Sequence, residues 1–106
     1  MSALLVHCTC PDPASARHIA EVLVAEKLAA CVQVLPQMLS IYRWRGELQR
    51  DHEHLLLIKT RRACWPALRE RVAQLHPYDT PEVLAFAAVD GSAAYLAWLA
   101  EQTHAP

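Results

Sequence analysis

The stretch 40–60, SIYRWRGELQRDHEHLLLIKT, constrains this chain more than any other. It reads as two β-arms reversed at Arg45-Gly46-Glu47, where Gly46, one of two glycines in the chain, supplies the positive φ of a tight reversal. The first arm, residues 31–44 (CVQVLPQMLSIYRW), places β-branched and aromatic residues on alternating positions, and the second, residues 53–60, reads EHLLLIKT. An arm of that length reaches ~46 Å at ~3.3 Å per residue. A compact chain of this size has a radius of gyration of only about 13 Å. The far end of such a hairpin needs something to pack on, and the nearest candidate is another copy of the same chain.

The flanking segments read as alternating strands and helices. Residues 3–9 form a short apolar run suited to a buried central strand, ended by Pro11. Asp12-Pro13 is a helix start, with Asp12 as N-cap and proline at the first helical position. Ala16, Ile19, Ala20 and Leu23 then form one apolar stripe through a helix over about 13–28. Pro36 removes a ladder donor from the first arm, which predicts an edge position or a bulge. Arg61-Arg62 opens a second helix to Leu75, with Trp65, Leu68, Val72 and Leu75 on one side, stopped by His76-Pro77. Residues 79–81 are a loop, 83–89 a last buried strand, and Ser92 caps a C-terminal helix that turns Tyr95, Leu96 and Leu99 inward.

The order β-α-β-β-α-β-α predicts an α+β chain: a ferredoxin-like (split βαβ) sandwich with a long β-hairpin and an extra C-terminal helix. Its 106 residues make one domain, 1–106. One face of the sheet is covered by helices; the other calls for cover by self-association. The 54% hydrophobic and 20% charged composition fits a surface partly hidden by subunits.

Composition and pattern also exclude classes. A net charge of −1 recommends neither nucleic acid nor an anionic membrane as partner. The start, MSALLVHCTC, has no basic region and only four apolar residues in a row, so it does not read as a signal peptide, and no run approaches ~20 apolar residues. The expected location is cytoplasmic, and the four cysteines are thiols first. Phosphate-binding glycine loops, CxxC, GxSxG and HExxH are all absent from the sequence.

Several residues bear chemistry. Cys8 and Cys10 share a strand face at i and i+2; they are either a soft pair for Cu(I) or Zn(II) or small apolar packing beneath the first helix. Cys31 at the hairpin base and Cys64 at the start of a helix read as packing residues. His52 and His54 share a strand face that either chelates a divalent ion or is plain polar surface. The segment 76–82, HPYDTPE, concentrates an imidazole, a phenol and two carboxylates in a proline-stiffened loop; it is either a functional loop or a rigid connector. Tyr42, Trp44, Tyr95 and Trp98 wall a cleft or fill a subunit contact, with the contact favoured.

The blocks LAACVQVLPQMLSIYRWRGE, HLLLIKT, HPYDTPEV and YLAWL, in that order and at these separations, resemble the CutA family of divalent-ion tolerance proteins. The resemblance runs from Cys8 to Leu99. It implies a tight homotrimer of ferredoxin-like subunits whose hairpins reach across to neighbours, an architecture similar to that of PII-type signalling proteins. It also implies tolerance of copper and other divalent metals, and a eukaryotic branch of the family is associated with a membrane-anchored enzyme. Carried over by position, the residues of an intersubunit ligand cleft are Tyr42, Trp44, Glu53, Lys59, His76, Tyr78 and Glu82, and those of a metal site are Cys8, Cys31 and His76. Cys10, His52 and His54 depart from the family pattern.

The expected function is therefore a cytoplasmic homotrimer that binds a divalent or soft metal ion, Cu or Zn, with no obligatory cofactor, and contributes to metal tolerance. The alternative is a PII-like protein binding a small anionic effector between subunits. An enzyme using His76, Glu53 and Glu82 as acid and base is the least favoured reading, because no nucleophile–base pair is visible.

Overall fold

A computed structural model describes residues 2–106. The chain runs β1 (Ala3–Cys10), α1 (Pro13–Ala25), β2 (Cys31–Trp44), β3 (Glu47–Arg61), a 3-10 turn (Arg62–Cys64), α2 (Trp65–Leu75), β4 (Val83–Ala87) and α3 (Ala93–Gln102). The strands form one sheet in the order β2-β3-β1-β4, with every neighbouring pair antiparallel. This is the expected α+β, ferredoxin-like arrangement with its long hairpin and extra helix.

Strand alternation divides the sheet into two faces. Val6, Cys8 and Cys10 of β1 and Leu56 and Ile58 of β3 point toward the helices, where they meet Ala16, Ile19 and Leu23 of α1 and Leu68 and Val72 of α2. Each large aliphatic side chain buried there contributes roughly 1.5–3 kcal/mol. Asp12 caps α1 as expected, its carboxylate accepting the Ser15 N–H at 2.7 Å. That bond holds the Asp12 carboxyl below the usual range.

The extra helix lies elsewhere. Leu99 packs with Ala3 and Ala30, and Arg61 donates to the Thr103 hydroxyl at 2.7 Å and to its carbonyl at 3.0 Å. Much of the remaining sheet surface is uncovered: Leu35, Leu84 and Phe86 are exposed, as are Ile41, Trp44 and Leu48 toward the hairpin tip.

Four boundaries differ from the sequence expectation. The first helix ends at Ala25 rather than Leu28, because Lys27 takes a left-handed φ of 60° and the Leu28 and Ala29 N–H groups both fold back to the Leu23 carbonyl. The reversal is two residues long: Arg45 and Gly46 have φ of 50° and 82°, the positive pair that a tight hairpin loop needs, and Trp44 already pairs with Glu47. The second arm therefore begins at Glu47 rather than Glu53. Its first half is polar and shows no apolar alternation, yet pairing with β2 holds it extended. Third, Arg61 closes β3 and α2 starts only at Trp65, after the 3-10 turn.

The last strand stops at Ala87, paired with Leu4 near the start of β1; the Ala88 N–H still reaches the Ala3 carbonyl at 3.0 Å, and Val89 beyond it is 96% exposed. On α3, Leu99 turns inward, whereas Tyr95 stays 42% exposed with its ring 5.6 Å from that of Trp98. The bend expected at Pro36 is present: the β2–β3 register shifts between Leu35 and Met38, beside Gln37 at a φ of 53°.

Leu23 and Val24, adjacent on α1, test this division of surfaces. Leu23→Ala, at a fully buried position, is expected to destabilise by about 2–5 kcal/mol in denaturant unfolding. Val24→Ala, at an exposed position, should stay within about 0.5 kcal/mol of the parent.

Candidate functional site

Two neighbouring places carry chemistry. The first is a buried thiol–imidazole group. β1 pairs with β3 on one side and β4 on the other, so Cys8 and Cys10 are enclosed beneath the helices and neither is accessible. His76 follows directly on α2, its N–H still bonded to the Val72 carbonyl at 2.9 Å, and the chain there swings the ring over the end of β1. Nε2 lies 3.9 Å from the Cys10 sulfur, and donor atoms of Cys8, Cys10 and His76 all fall within 4.8 Å of one another.

The thiols are not equivalent. Interaction with Cys10, together with burial, pushes the Cys8 thiol far up, and the same interaction with Cys8 lowers the Cys10 thiol; the Cys8 thiol lies 4.0 Å from the Thr9 carbonyl.

His76 has both ring nitrogens engaged. The Tyr78 N–H donates to Nδ1 at 3.0 Å, so Nε2 carries the proton and donates to the Thr9 carbonyl at 2.7 Å. Ligands held 2.0–2.3 Å from one ion stand roughly 3.3–3.8 Å apart, so closing this group on a metal needs shifts of about 1 Å. It also needs His76 to move its proton from Nε2 to Nδ1, releasing both the Thr9 carbonyl and the Tyr78 N–H. Two sulfurs and one imidazole in a dry site fit a soft or borderline ion.

The second place is a cleft of about 900 Å³ between the hairpin and the loop 77–82. Tyr42, Trp44 and Arg45 come from the first arm and turn, Glu53 from the second arm, and Tyr78, Asp79 and Glu82 from the loop, with Thr9 beside them. Tyr78 donates to Glu53 at 3.0 Å, and Tyr42 donates to Asp51. Burial and then the Glu53 contact push the Tyr78 phenol up, and the Asp51 hydrogen bond pushes the Tyr42 phenol up. Glu53, only 7% exposed, has that phenol as its hydrogen-bond partner. Three carboxylates against one guanidinium favour a cation in this cleft, opposite in sign to an anionic effector.

Of the seven residues expected in the cleft, the fold brings together Tyr42, Trp44, Glu53, Tyr78 and Glu82. Lys59 is not among them: it pairs across the hairpin with Cys31 and bonds the Gln33 side chain. His76 is buried and joins the thiol group instead of lining the cleft. Of the expected metal set, Cys8 and His76 meet, whereas Cys31 sits with Lys59, outside the group. Cys10 stands in the group, at the i and i+2 spacing from Cys8 already noted on β1. Asp79, one of the two carboxylates noted in the 76–82 loop, and Arg45 of the reversal were not assigned to the cleft, since only the closing of the loop against the hairpin brings them into it.

Fold and site together define a ferredoxin-like α+β protein with a buried thiol–imidazole group beside an acidic, aromatic-walled cleft. The family model described as CutA1 divalent ion tolerance protein matches residues 4–102. A Divalent-cation tolerance protein CutA of Thermus thermophilus is 50% identical over 95 residues, which cover 90% of this chain and 92% of that protein. The crystal structure of CutA from Xylella fastidiosa superposes with a TM-score of 0.95 at 41% identity, over 98% of this chain and 100% of the other. A structure described as the periplasmic divalent cation tolerance protein CutA from Archaeoglobus fulgidus superposes at 0.91 and 31% identity, over 94% and 97% of the two chains. The chain belongs to the CutA1 divalent ion tolerance family. Among the described residues, no helix is long and apolar enough to cross a membrane.

The Tyr78–Glu53 bond is expected to hold the loop to the hairpin. Tyr78→Phe leaves a buried carboxylate without its donor and should lower stability by about 1–3 kcal/mol, measured by urea unfolding near neutral pH.

Proposed function

We propose that this protein binds a soft or borderline metal ion, copper as Cu(I) or zinc as Zn(II), at Cys8, Cys10 and His76, and that this binding is its contribution to metal tolerance. The observation that carries the reading is the convergence of two sulfurs and an imidazole nitrogen within 4.8 Å in a buried site. Membership of a family described by divalent ion tolerance supports it. The reading is one of binding rather than catalysis: His76, buried and engaged at both nitrogens, is poorly placed to exchange protons with a substrate. The protein acts in the cytoplasm, where thiols stay reduced and available to metal.

The assembly proposed with it is a homotrimer. Support comes from the apolar sheet surface around Leu84 and Phe86 and from the exposed hairpin side chains Leu35, Ile41 and Trp44, which together are more than a lone soluble subunit ordinarily leaves bare. Threefold symmetry itself rests on the resemblance of the chain to its family. Sedimentation should give three times the 11.9 kDa chain mass. Phe86→Asp, 47% exposed on the edge strand β4, should shift that mass toward one chain without loss of secondary structure.

Titration of Cu(I) and Zn(II) into chelator-stripped protein tests the metal reading. One saturable site per chain is expected, lost in Cys10→Ser. Affinity should rise with pH, because the ion displaces the proton that Cys8 holds; each proton released steepens the dependence by roughly tenfold per pH unit. Equal binding by parent and Cys10→Ser, or binding independent of pH, counts against the thiol site.

A further inference from the structure

Three donors do not complete the four-coordinate shell that a buried divalent ion takes. The sheet register supplies a fourth. Cys10, the last residue of β1, stands directly opposite His54 of β3 in the antiparallel ladder. Residues so paired point to the same face, with Cβ atoms about 4.5–5.5 Å apart. Cys8, Cys10 and His54 therefore share the helix-facing side.

A second observation is independent of the register. Among the described residues, His54 Nδ1 is the one buried side-chain nitrogen or oxygen with no hydrogen-bond partner. An imidazole nitrogen removed from water and left unsatisfied carries a free-energy penalty that a bound ligand relieves. As a residue His54 is only partly buried.

Topology places the two imidazoles on opposite flanks of the same strand. β1 lies between β3 and β4; His54 approaches Cys10 from β3, and His76 approaches it from the segment that leads into β4. We propose that His54 closes the group of Cys8, Cys10 and His76 into a four-donor Cys2His2 site for a tetrahedral divalent ion of the Zn(II) type. In this structure His54 stands outside the three-donor group, so its ring turns inward as the ion enters. The proposal rests on the thiol site of the preceding section and extends it from a soft-ion pair to a closed tetrahedral shell.

Zn(II) affinity by competition with a chromophoric chelator, and the visible spectrum of the Co(II)-substituted protein, test it. The comparison is between the parent, His54→Ala, His52→Ala and Cys10→Ser. His54→Ala should weaken Zn(II) binding by about 100-fold and shift the visible bands of the Co(II) protein, because water then takes the fourth position. His52→Ala, exposed two residues away, should leave both unchanged. The metal-free melting temperature of His54→Ala should stay close to that of the parent, relief of the unpaired nitrogen offsetting loss of the half-buried ring. Parent-like binding by His54→Ala with loss in Cys10→Ser overturns the fourth donor and leaves the thiol site standing. Parent-like binding by Cys10→Ser overturns both. Equal losses in His52→Ala and His54→Ala assign the ion to the exposed hairpin arm and overturn the closed site.

Discussion

The antiparallel ladder between β1 and β3 governs what the other elements can do. It pairs Ala3 with Arg61 at one end and Cys10 with His54 at the other, and so decides which side chains meet the helices. A slip of one residue would exchange the faces of the strand, turning Leu5, His7 and Thr9 toward α1 and sending both sulfurs to the opposite side. The apolar set Val6, Leu56 and Ile58 resists that slip, because all three are fully buried in the observed register. Packing free energy thereby orients the two thiols, which are themselves fully buried members of that core. Chemistry at the end of β1 depends on hydrophobic register along its length.

His76 is the joint between the buried group and the cleft. Its ring ties the Thr9 carbonyl to the Tyr78 N–H and lies 4.9 Å from the Tyr78 ring. Tyr78 in turn holds Glu53 on the hairpin. One imidazole thus connects the end of β1, the loop after α2 and the second hairpin arm. The tautomer it adopts is dictated by the backbone N–H of Tyr78, so any ligand that takes Nε2 must compete with two hydrogen bonds already made.

Architecture was largely legible from periodicity and punctuation. Asp12-Pro13, the Ala16–Ile19–Leu23 stripe and Ser92 announced their helices, and Pro36 announced the bulge. The end of α1 and the two-residue reversal escaped for one reason: the chain has two glycines, so Lys27 and Arg45 adopt left-handed backbone unannounced. The polar half of the second arm escaped because its extended form comes from pairing with β2 rather than from its own pattern. In the site, Cys8 and His76 were recognisable from motif resemblance, and Cys10 from strand spacing. That His54 faces Cys10 depends on the β1–β3 register, which spans more than forty residues of sequence and leaves no local trace.

The bulge beside Pro36 has a meaning for the sheet margin. β2 is an edge strand of 14 residues, long enough to template the addition of further strands. Pro36 offers no amide hydrogen, and the left-handed Gln37 turns the backbone between Leu35 and Met38. The margin is therefore two short rails with a break between them rather than one continuous rail. A neighbour can dock along either, but no single straight strand can zip onto the whole, so the chain keeps a long reach for association while barring open-ended fibre growth along that edge.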